Sequence, residues 1–334
     1  MVAGTLGSLD KEGARKMPKT ITLTAGIDTS KSKLDVGIHG QKRSETFENA
    51  QAGWGRLQAW LTSEGVGRVG IEATGGYERG VTRHLQNAGV EVVVLQPKQV
   101  KAFGQLHLRR AKSDRIDAFL IAACTYLLDA QNRMPPDPRF DALADHLTYI
   151  EQIEEDMTRF KTRLEHIGEA RVRRTINADV SRLAKRRDHE LKRLQAALQA
   201  YPDLARRFDL VLSIPGIGAR TALSIVVRLP ELGQISREQV ASLAGLAPFV
   251  QQSGKWKGET HICGGRERLR RALYAASLPA AFHWNPALKA LYARLTQRGK
   301  SHTSALVACA RKLLIYANTV VTRGTPWVDE PSAA

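Results

Sequence analysis

The N-terminal part of the chain alternates between short apolar segments and longer amphipathic ones. Three β-prone segments, ITLTAGID (21–28), LDVGIHG (34–40) and SETFEN (44–49), are separated by small or polar residues, which predicts a three-stranded meander. Helix-like and strand-like segments then follow in turn: QAGWGRLQAWLTS, VGRVGIEA, GYERGVTRHLQNAG and EVVVLQP. Two further helices, QVKAFGQL and DRIDAFLIAACTYLLDA, end before Pro135 and Pro136. This order predicts an α/β domain over residues 20–132, opened by antiparallel strands and continued by βα units.

A different pattern covers residues 141–205, where proline and glycine almost disappear. Apolar residues recur every seven positions, which predicts one long amphipathic helix: Leu143, Ile150, Met157 and Leu164, and likewise Ile153, Phe160 and Ile167. A second helix carries an apolar face among many Arg and Lys residues: Val180, Leu183, Leu191, Leu194 and Leu198. Two such helices predict a coiled-coil hairpin or a seam for a partner subunit, and hence a homo-oligomer, either a dimer or a tetramer. The basic run from Arg171 to Arg193 fits a solvated helix face equally well.

Residues 208–322 are predicted to form a third, mainly α-helical domain. It begins with VLSIPGIGARTALSIV, in which an apolar helix stops at Pro215 and a second helix starts at Ala219. Gly216 and Gly218 permit a tight turn between them, an order that is typical of a helix-hairpin-helix. Backbone N–H groups at such a turn can approach a nucleic-acid phosphate. The alternative explanation is a glycine-rich turn between two packed helices.

The composition indicates a polyanionic partner. Lys and Arg outnumber Asp and Glu by 50 to 33, which gives a net charge of +17 and favours nucleic acid. No membrane partner is expected, because no apolar stretch approaches the length that spans a bilayer. Residues 1–19 are predicted to be a disordered polar leader without the continuous apolar core of a secretion signal, so a cytoplasmic location is expected. Residues 323–334 are predicted to be a flexible tail. The three cysteines are far apart and predict neither a disulfide framework nor a zinc site.

Four acidic residues stand out against this basic background. Asp28 and Glu72 each end an apolar strand, whereas Asp114 and Asp117 lie three residues apart at the start of a helix and share one of its faces. Each of these residues alone has an ordinary explanation as a cap or turn residue. Together they form a D…E…D-x-x-D series on a βββαβ scaffold, which is the layout of an RNase H-like nuclease or transferase.

These carboxylates predict a metal-dependent reaction on a phosphodiester. Clustered carboxylates need a cation to neutralise them, and oxygen ligands select Mg²⁺ or Mn²⁺. Two ions per site are expected, because a pair of ions can hold both the attacking and the leaving oxygen. Basic residues around the helical pair are expected to bind the nucleic-acid backbone: Lys98, Lys101, Arg109, Arg110, Lys112 and Arg115.

Motifs along nearly the whole chain carry a family resemblance. They are GIDTSKSKLDV, IEATGGYE, QVKAFGQ with RRAKSDRIDA, IPGIGARTA, AGLAPFVQQSGKWKG, GGRERLRRALYAAS and NPALKALYARLTQRGKSHTSALVACARKLL. In these motifs the chain resembles the DEDD, RuvC-like transposases of the bacterial insertion sequence 110 group, which includes the Piv-type DNA invertases. The motifs extend from residue 25 to about residue 316 in the family's order, and they are specific as a set.

The resemblance implies roles for five residues. Asp28, Glu72, Asp114 and Asp117 match the metal-binding tetrad of a RuvC-like domain. Ser253 matches the serine that attacks DNA and joins it through a 5′-phosphoserine, although the sequence alone would make it a turn residue beside a glycine. Its loop also contains three cations that can cradle a phosphate: Lys255, Lys257 and Arg266. One departure is Cys263, which stands where many family members have serine.

The resemblance also implies partners and a location. They are double-stranded donor and target DNA, and a structured bridge RNA, encoded by the element, that pairs with both. A bacterial protein associated with the nucleoid is expected. The aromatic content of only 6% favours contact with the nucleic-acid backbone over base stacking.

The sequence leaves three classes of function open. The favoured class is a transposase or site-specific recombinase that transfers DNA through the serine. The alternative is a metal-dependent RuvC-like endonuclease of the junction-resolving type, which needs only the four carboxylates and water. The third is an architectural nucleic-acid-binding protein that uses the helical hairpin and the basic helices without catalysis.

Overall fold

The computed structural model describes residues 23–106, 114–128, 137–249, 252–253, 256–257 and 261–328, and at 114–116, 249, 252–253 and 256–257 it describes the backbone alone. The chain divides into two compact units, one up to residue 133 and the other from residue 134. The predicted leader and the residues Arg109, Arg110, Lys112 and Lys255 lie outside the described residues. Each unit has its own hydrophobic core.

The first unit is a mixed α/β structure built on one five-stranded sheet. Its elements are β1 Leu23–Thr29, β2 Lys33–Ile38, β3 Ser44–Glu48, α1 Gln51–Ser63, β4 Val66–Glu72, α2 Arg79–Asn87, β5 Glu91–Leu95, α3 Pro97–Leu106 and α4 Asp114–Leu127. The strand order is β3-β2-β1-β4-β5. Strands β1 to β3 form the predicted antiparallel meander, and β4 pairs in parallel with both β1 and β5. This architecture is compatible with an RNase H-like domain.

Alternate residues of the strands face two different layers of helices. On one face, Ile27 and Ile71 pack against α1 and α2, whose Leu57 and Leu85 are fully buried. The other face packs against α3 and α4 through Val93, Leu95, Val100, Leu120 and Ile121. The sheet is therefore covered by helices on both faces, with its larger apolar cluster on the side of α1 and α2.

Three glycines form a row across the middle of the sheet, directly beneath α4. The register pairs Gly26 with Gly37 of β2 and with Gly70 of β4. A Cβ atom at Gly26 would collide with the backbone of Ala118 and Ala122, and one at Gly70 would collide with a threonine side chain of α4. At Gly26 the added Cβ atom would meet backbone atoms of α4, so no rotation of a side chain could make room for it.

The second unit is mainly helical. Its elements are α5 Pro138–Leu164, α6 Ala170–Gln199, α7 Pro202–Leu212, α8 Ala219–Arg228, α9 Arg237–Leu243, β6 Pro248–Phe249, β7 Gln252–Ser253, β8 Trp256–Lys257, β9 His261–Ile262, α10 Glu267–Pro279, α11 Pro286–Gln297 and α12 His302–Arg323. A π-helical turn, Ala280–Trp284, joins α10 to α11. The short strands pair as β6 with β9 and β7 with β8. Neither these strands nor the π-helical turn was predicted from the sequence.

Helices α5 and α6 form the predicted pair of long helices. Helix α5 begins with an Asp137 cap that accepts a hydrogen bond from the backbone N–H of Arg139, and the two helices are linked by the 2.7 Å contact between His146 and Glu190. Near the rest of the unit their apolar residues are buried, whereas Phe160 and Val180 towards the hairpin tip are only half-buried. Coiled-coil packing along this pair stays a prediction.

The remaining helices share one core with the inner end of this pair. Helix α12 lies in it against α7, α9, α10 and α11, with Leu306, Cys309 and Leu313 fully buried. Among the described residues, α12 alone is long and apolar enough to cross a membrane. Its buried Asn318 bonds to the backbone of Gly233 and Ile235, as expected of a core helix in a globular unit.

The glycine row predicts a sharp difference between two substitutions in the first unit. Gly26→Ala should destabilise this unit by about 3 kcal/mol or more, because α4 must move off the sheet to admit the methyl group. Gly55→Ala is the control, since Gly55 lies in α1 with open space around its Cβ position, and it should be neutral or stabilise by up to about 1 kcal/mol. Chemical denaturation of the full chain measures both. Equal stabilities of the two variants would contradict the close packing of α4.

Candidate active site and nucleic-acid-binding surfaces

Asp28 and Glu72 end two neighbouring parallel strands. The register pairs Ile27 of β1 with Ile71 of β4, so the two acidic residues that follow lie side by side at the carboxyl edge of the sheet. They lie two residues beyond Gly26 and Gly70, and alternation therefore directs their side chains to the face covered by α4. Both residues are half-buried.

Helix α4 runs antiparallel to β1 and β4. Its last turn lies at the start of β4, where the guanidinium of Arg68 donates a 2.8 Å hydrogen bond to the carbonyl oxygen of Leu128. Its middle, from Ala118 to Ala122, lies over Gly26, and Thr125 in its last turn lies over Gly70. The first turn of α4 therefore lies towards the carboxyl end of β1, where Asp28 is located.

The helical pair of carboxylates belongs to that first turn. Asp114 is the first residue of α4 and Asp117 is half-buried one turn further on, while the side chain of Asp114 lies outside the described residues. Among the side chains that the structure describes, no three of His, Cys, Asp or Glu are close enough to share one metal ion. The donors themselves are all carboxylate oxygens, a set that suits Mg²⁺ or Mn²⁺ rather than a soft metal.

A further carboxylate, Asp35, lies opposite Asp28 and was not singled out from the sequence. The antiparallel register pairs the two residues across β1 and β2. Asp35 is buried, accepts a 2.7 Å hydrogen bond from the hydroxyl of Thr46 and lies 3.0 Å from the Lys33 ammonium. The sequence does not predict that Asp35 lies opposite Asp28, because this pairing depends on the register between β1 and β2. Its charge is neutralised by Lys33, which suits a structural role.

Basic residues lie at the same edge of the sheet. Helix α3 starts directly after β5, and its Lys98 and Lys101 are both exposed. Strand β5 ends beside β4, where Leu95 pairs with Glu72, so α3 begins next to the carboxylates. Arg115 lies in the first turn of α4 with only its backbone described. These positions give the carboxyl edge both acidic and basic groups.

The glycines of the predicted hairpin have two different surroundings. Gly216 has a φ of 95° and packs against Ala280 so closely that a Cβ atom would collide with it. This contact supports the explanation of Gly216 as a turn glycine between packed helices. Gly218 is exposed, has open space around its Cβ position and caps α8. Only the second glycine therefore presents open backbone to a ligand.

The serine loop lies in the second unit. Ser253 is in β7, which pairs with β8 through Ser253 and Trp256, and Lys257 follows in β8. Arg266 lies at the start of α10, where its guanidinium is bound to Glu231 by hydrogen bonds of 2.6 and 2.8 Å. Burial raises the pKa of Glu231, but Arg266 outweighs this effect and holds that pKa below its ordinary value. The charge of Arg266 is thus balanced within the unit.

A cluster of arginines is partly neutralised within the unit. The buried Glu151 of α5 binds Arg228 at 2.6 Å and Arg268 at 2.7 Å, and Arg220 lies 3.6 Å away. Burial lowers the pKa of Arg228, and Glu151 opposes this shift. The cluster adjoins a cavity of about 670 Å³ between α5, α8 and α10. It ties the long helical pair to the rest of the unit.

Comparison with known proteins places both units in one group. Residues 25–167 match a family model described as transposase, of the DEDD type of IS110, and residues 208–293 match the model of the IS116/IS110/IS902 transposase family. The pilin gene-inverting proteins of Moraxella bovis and Moraxella lacunata are each 26% identical to this chain over 314 residues, which is 90% of this chain and 96% of the relative. A protein of insertion element IS110 from Streptomyces coelicolor is 33% identical over 140 residues, 41% of this chain and 34% of that protein.

The arginine cluster predicts different consequences for two glutamates one turn apart. Glu151→Ala should destabilise the protein by about 3–5 kcal/mol, because it leaves partly buried guanidinium groups without their carboxylate. Glu155→Ala should cost less than about 0.5 kcal/mol, since its partner Arg271 is largely exposed and Glu155 itself is about half exposed. Denaturant unfolding of both variants measures this difference. A Glu151→Ala protein as stable as the Glu155→Ala protein would contradict a structural role for the cluster.

Proposed function

Since the chain belongs to the IS116/IS110/IS902 family of transposases and is therefore an enzyme that recombines DNA, we propose that it cuts and rejoins DNA through a serine nucleophile. In this proposal, carboxylates of the first unit bind the divalent metal that the DEDD family implies: Asp28, Glu72, Asp114 and Asp117. Ser253 of the second unit attacks the DNA. The observation that supports the proposal most strongly is that Asp28 and Glu72 lie side by side at the carboxyl edge of the sheet, and that α4 begins towards the same edge.

The carboxyl edge suits metal-dependent phosphoryl transfer. Two Mg²⁺ or Mn²⁺ ions per site are proposed, held by the four carboxylates. When bound, such ions stabilise the negative charge that develops on the attacking and leaving oxygens. What supports this site is that two of the carboxylates follow paired strands and two belong to the first turn of one helix.

The serine conserves the energy of the DNA backbone. The Oγ atom of Ser253 loses its proton and attacks phosphorus, a bond to the 5′-phosphate forms, and the DNA 3′ oxygen leaves and takes up a proton. A 3′ hydroxyl of another strand then attacks the same phosphorus and releases the serine. Each step exchanges one phosphate ester for another, so no nucleotide cofactor is required. A serine hydroxyl is a weak nucleophile and must be activated before it can attack. In this proposal, the divalent metal would supply that activation when bound.

Cations in both units are proposed to hold the DNA backbone. Around the carboxyl edge they are Lys98, Lys101, Arg109, Arg110, Lys112 and Arg115. In the second unit they are Lys255, Lys257 and Arg266, with backbone contact at Gly216 and Gly218. Exposed Lys98, Lys101 and Gly218 are better supported than Arg266 and Gly216, because Arg266 is paired with Glu231 and Gly216 packs against Ala280.

Three further assignments belong to the proposal. A structured bridge RNA specifies both DNA partners by base pairing, which a protein with a net charge of +17 can support by backbone contacts alone. The half-buried apolar residues near the tip of the α5–α6 pair suit a homo-oligomer, dimer or tetramer. Family membership suggests a cytoplasmic protein, and its DNA substrate suggests association with the nucleoid.

Hydrolysis by a junction-resolving endonuclease is the second candidate. It is favoured by one observation, that the four proposed metal-binding residues all belong to the first unit whereas Ser253 belongs to the second. In that mechanism, water would replace the serine and no covalent adduct would form.

The serine mechanism predicts a protein–DNA adduct that depends on one residue. With a nicked suicide DNA substrate, the wild-type chain should form an adduct that survives denaturing electrophoresis, and Ser253→Ala should abolish it while leaving DNA affinity within about twofold. Cys263→Ala is the matched control in the same segment and should retain the adduct, since Cys263 is exposed and has no proposed role. Cleavage by the wild type without any adduct would support hydrolysis, and loss of the adduct in Cys263→Ala would move the nucleophile to that residue.

The carboxylate site predicts a loss of chemistry without a loss of binding. Asp28→Asn should lower the rate of strand cleavage by about a thousandfold, corresponding to several kcal/mol of charge stabilisation, and chelation of divalent metal should do the same to the wild type. DNA affinity should not fall, because the substitution removes a negative charge. Glu45→Gln, an exposed residue of β3, is the charge-matched control. Normal cleavage by Asp28→Asn would exclude Asp28 from the site.

A further inference from the structure

We propose that an aromatic surface of the second unit, formed by Phe282, Tyr292 and His302, binds single-stranded nucleic acid by stacking against its bases. We call this surface the aromatic platform. The proposal rests on the proposed function only in taking nucleic acid as the partner, and it concerns unpaired strands rather than the duplex. It adds a binding site to those described above.

The platform starts in the π-helical turn between α10 and α11. This turn follows Pro279 and presents two exposed aromatic residues, Phe282 at 38% and Trp284 at 66% exposure. Large aromatic side chains are usually buried, so two exposed ones so close in sequence need an explanation. Single π-helical turns within helices occur frequently at functional sites.

The three rings of the platform are held in a fixed arrangement. The Phe282 and Tyr292 rings are 4.9 Å apart and meet edge to face, and the Tyr292 and His302 rings are 5.8 Å apart. The Tyr292 hydroxyl is 2.7 Å from Nδ1 of His302, which links α11 to the start of α12. A base that stacks here meets rings that are already ordered, so binding costs little conformational entropy.

The charge around the platform matches a polyanion. Between Glu267 and Asp329 the sequence contains no acidic residue. Four exposed cations lie on α11 and in the loop that leads to His302: Lys289, Arg294, Arg298 and Lys300. Within the part of the chain that the structure describes, none of these four makes an ion pair with a carboxylate, in contrast to the arginines around Glu151.

The platform is anchored to the turn at the start of α8. The buried Asn285 donates a 3.2 Å hydrogen bond from its side-chain amide to the carbonyl oxygen of Pro215, and it also caps α11. Ala280, at the start of the π-helical turn, packs against Gly216. The turn that contains the exposed Gly218 is therefore joined to the platform by direct contacts.

Stacking distinguishes an unpaired strand from the other polyanions. In a duplex the faces of the bases are already covered by their neighbours, whereas an unpaired base offers its face to an aromatic ring. Aromatic rings among unpaired cations are the combination that single-strand-binding proteins use. The low aromatic content of the whole chain favours backbone contacts, but here the aromatic residues are concentrated in one place.

Binding to single strands is measured without cleavage. The full chain is titrated, in the presence of a metal chelator, against fluorescein-labelled oligo-dT and oligo-rU of about 12 nucleotides and against a duplex of equal length. Phe282→Ala combined with Tyr292→Ala should weaken single-strand binding about tenfold or more and change duplex binding less than twofold. Tyr149→Ala, an exposed tyrosine of α5, is the matched control and should change neither.

Two further measurements keep the proposal testable if the double variant is unstable. Photocrosslinking of the wild type to an iodouracil-substituted single strand should label peptides within residues 280–302. Lys289→Gln combined with Lys300→Gln should make the salt dependence of single-strand binding shallower, by about 0.7 in logarithmic slope for each phosphate that is no longer neutralised.

The outcomes separate the possible occupants. A loss of affinity confined to oligo-rU identifies RNA as the occupant, and a loss of affinity for both strands identifies any unpaired strand. Unchanged single-strand affinity in the double variant, or crosslinks only outside residues 280–302, would overturn the proposal. A change of oligomeric state with unchanged single-strand affinity would also overturn it and assign the surface to a second copy of the chain. None of these outcomes depends on whether Ser253 or the carboxylates act as proposed.

Discussion

The close approach of α4 to the sheet is the constraint on which the first unit depends. Gly37, Gly26 and Gly70 form a row across three neighbouring strands, and the helix lies so near that it leaves no space for a Cβ atom at Gly26. This distance fixes the height of α4 above the sheet, and the hydrogen bond from Arg68 to Leu128 fixes which end of β4 its last turn reaches. The first turn, with Asp114 and Asp117, is thereby held at the carboxyl edge where Asp28 and Glu72 end their strands. The packing of α4 against glycines thus determines where the acidic side chains of its first turn lie.

Electrostatic balance differs between the parts of the chain. Around Glu151 and Glu231 the arginines join helices, and their positive charge is partly cancelled within the second unit. Along α11 and the loop after it, the cations are exposed and make no ion pairs among the described residues. The net charge of +17 is therefore distributed unevenly between cations that pair with carboxylates and cations that are available to a ligand. A count of Lys and Arg overestimates the groups that are available to nucleic acid.

Family membership and geometry support different conclusions about the protein. Matches over residues 25–167 and 208–293 establish a transposase, and the strand register and the direction of α4 explain how acidic residues far apart in sequence come to the same edge. The serine, the bridge RNA and the number of metal ions remain proposals with separate tests. The aromatic platform has a basis of its own, because it depends on ring contacts and local charge rather than on a family motif.

The sequence by itself determined the order and type of the main elements and the residues at the ends of β1 and β4. Those features depend on local periodicity and on turn residues, which act over a few positions, so ITLTAGID and VGRVGIEA could be recognised as strands that end in an acid. Only the tertiary structure decided that Asp35 lies opposite Asp28, that Arg266 is balanced by Glu231, and that Phe282, Tyr292 and His302 meet. Each of these contacts joins residues from different elements, and no periodicity encodes such pairings, because they depend on strand register and on how the helices pack.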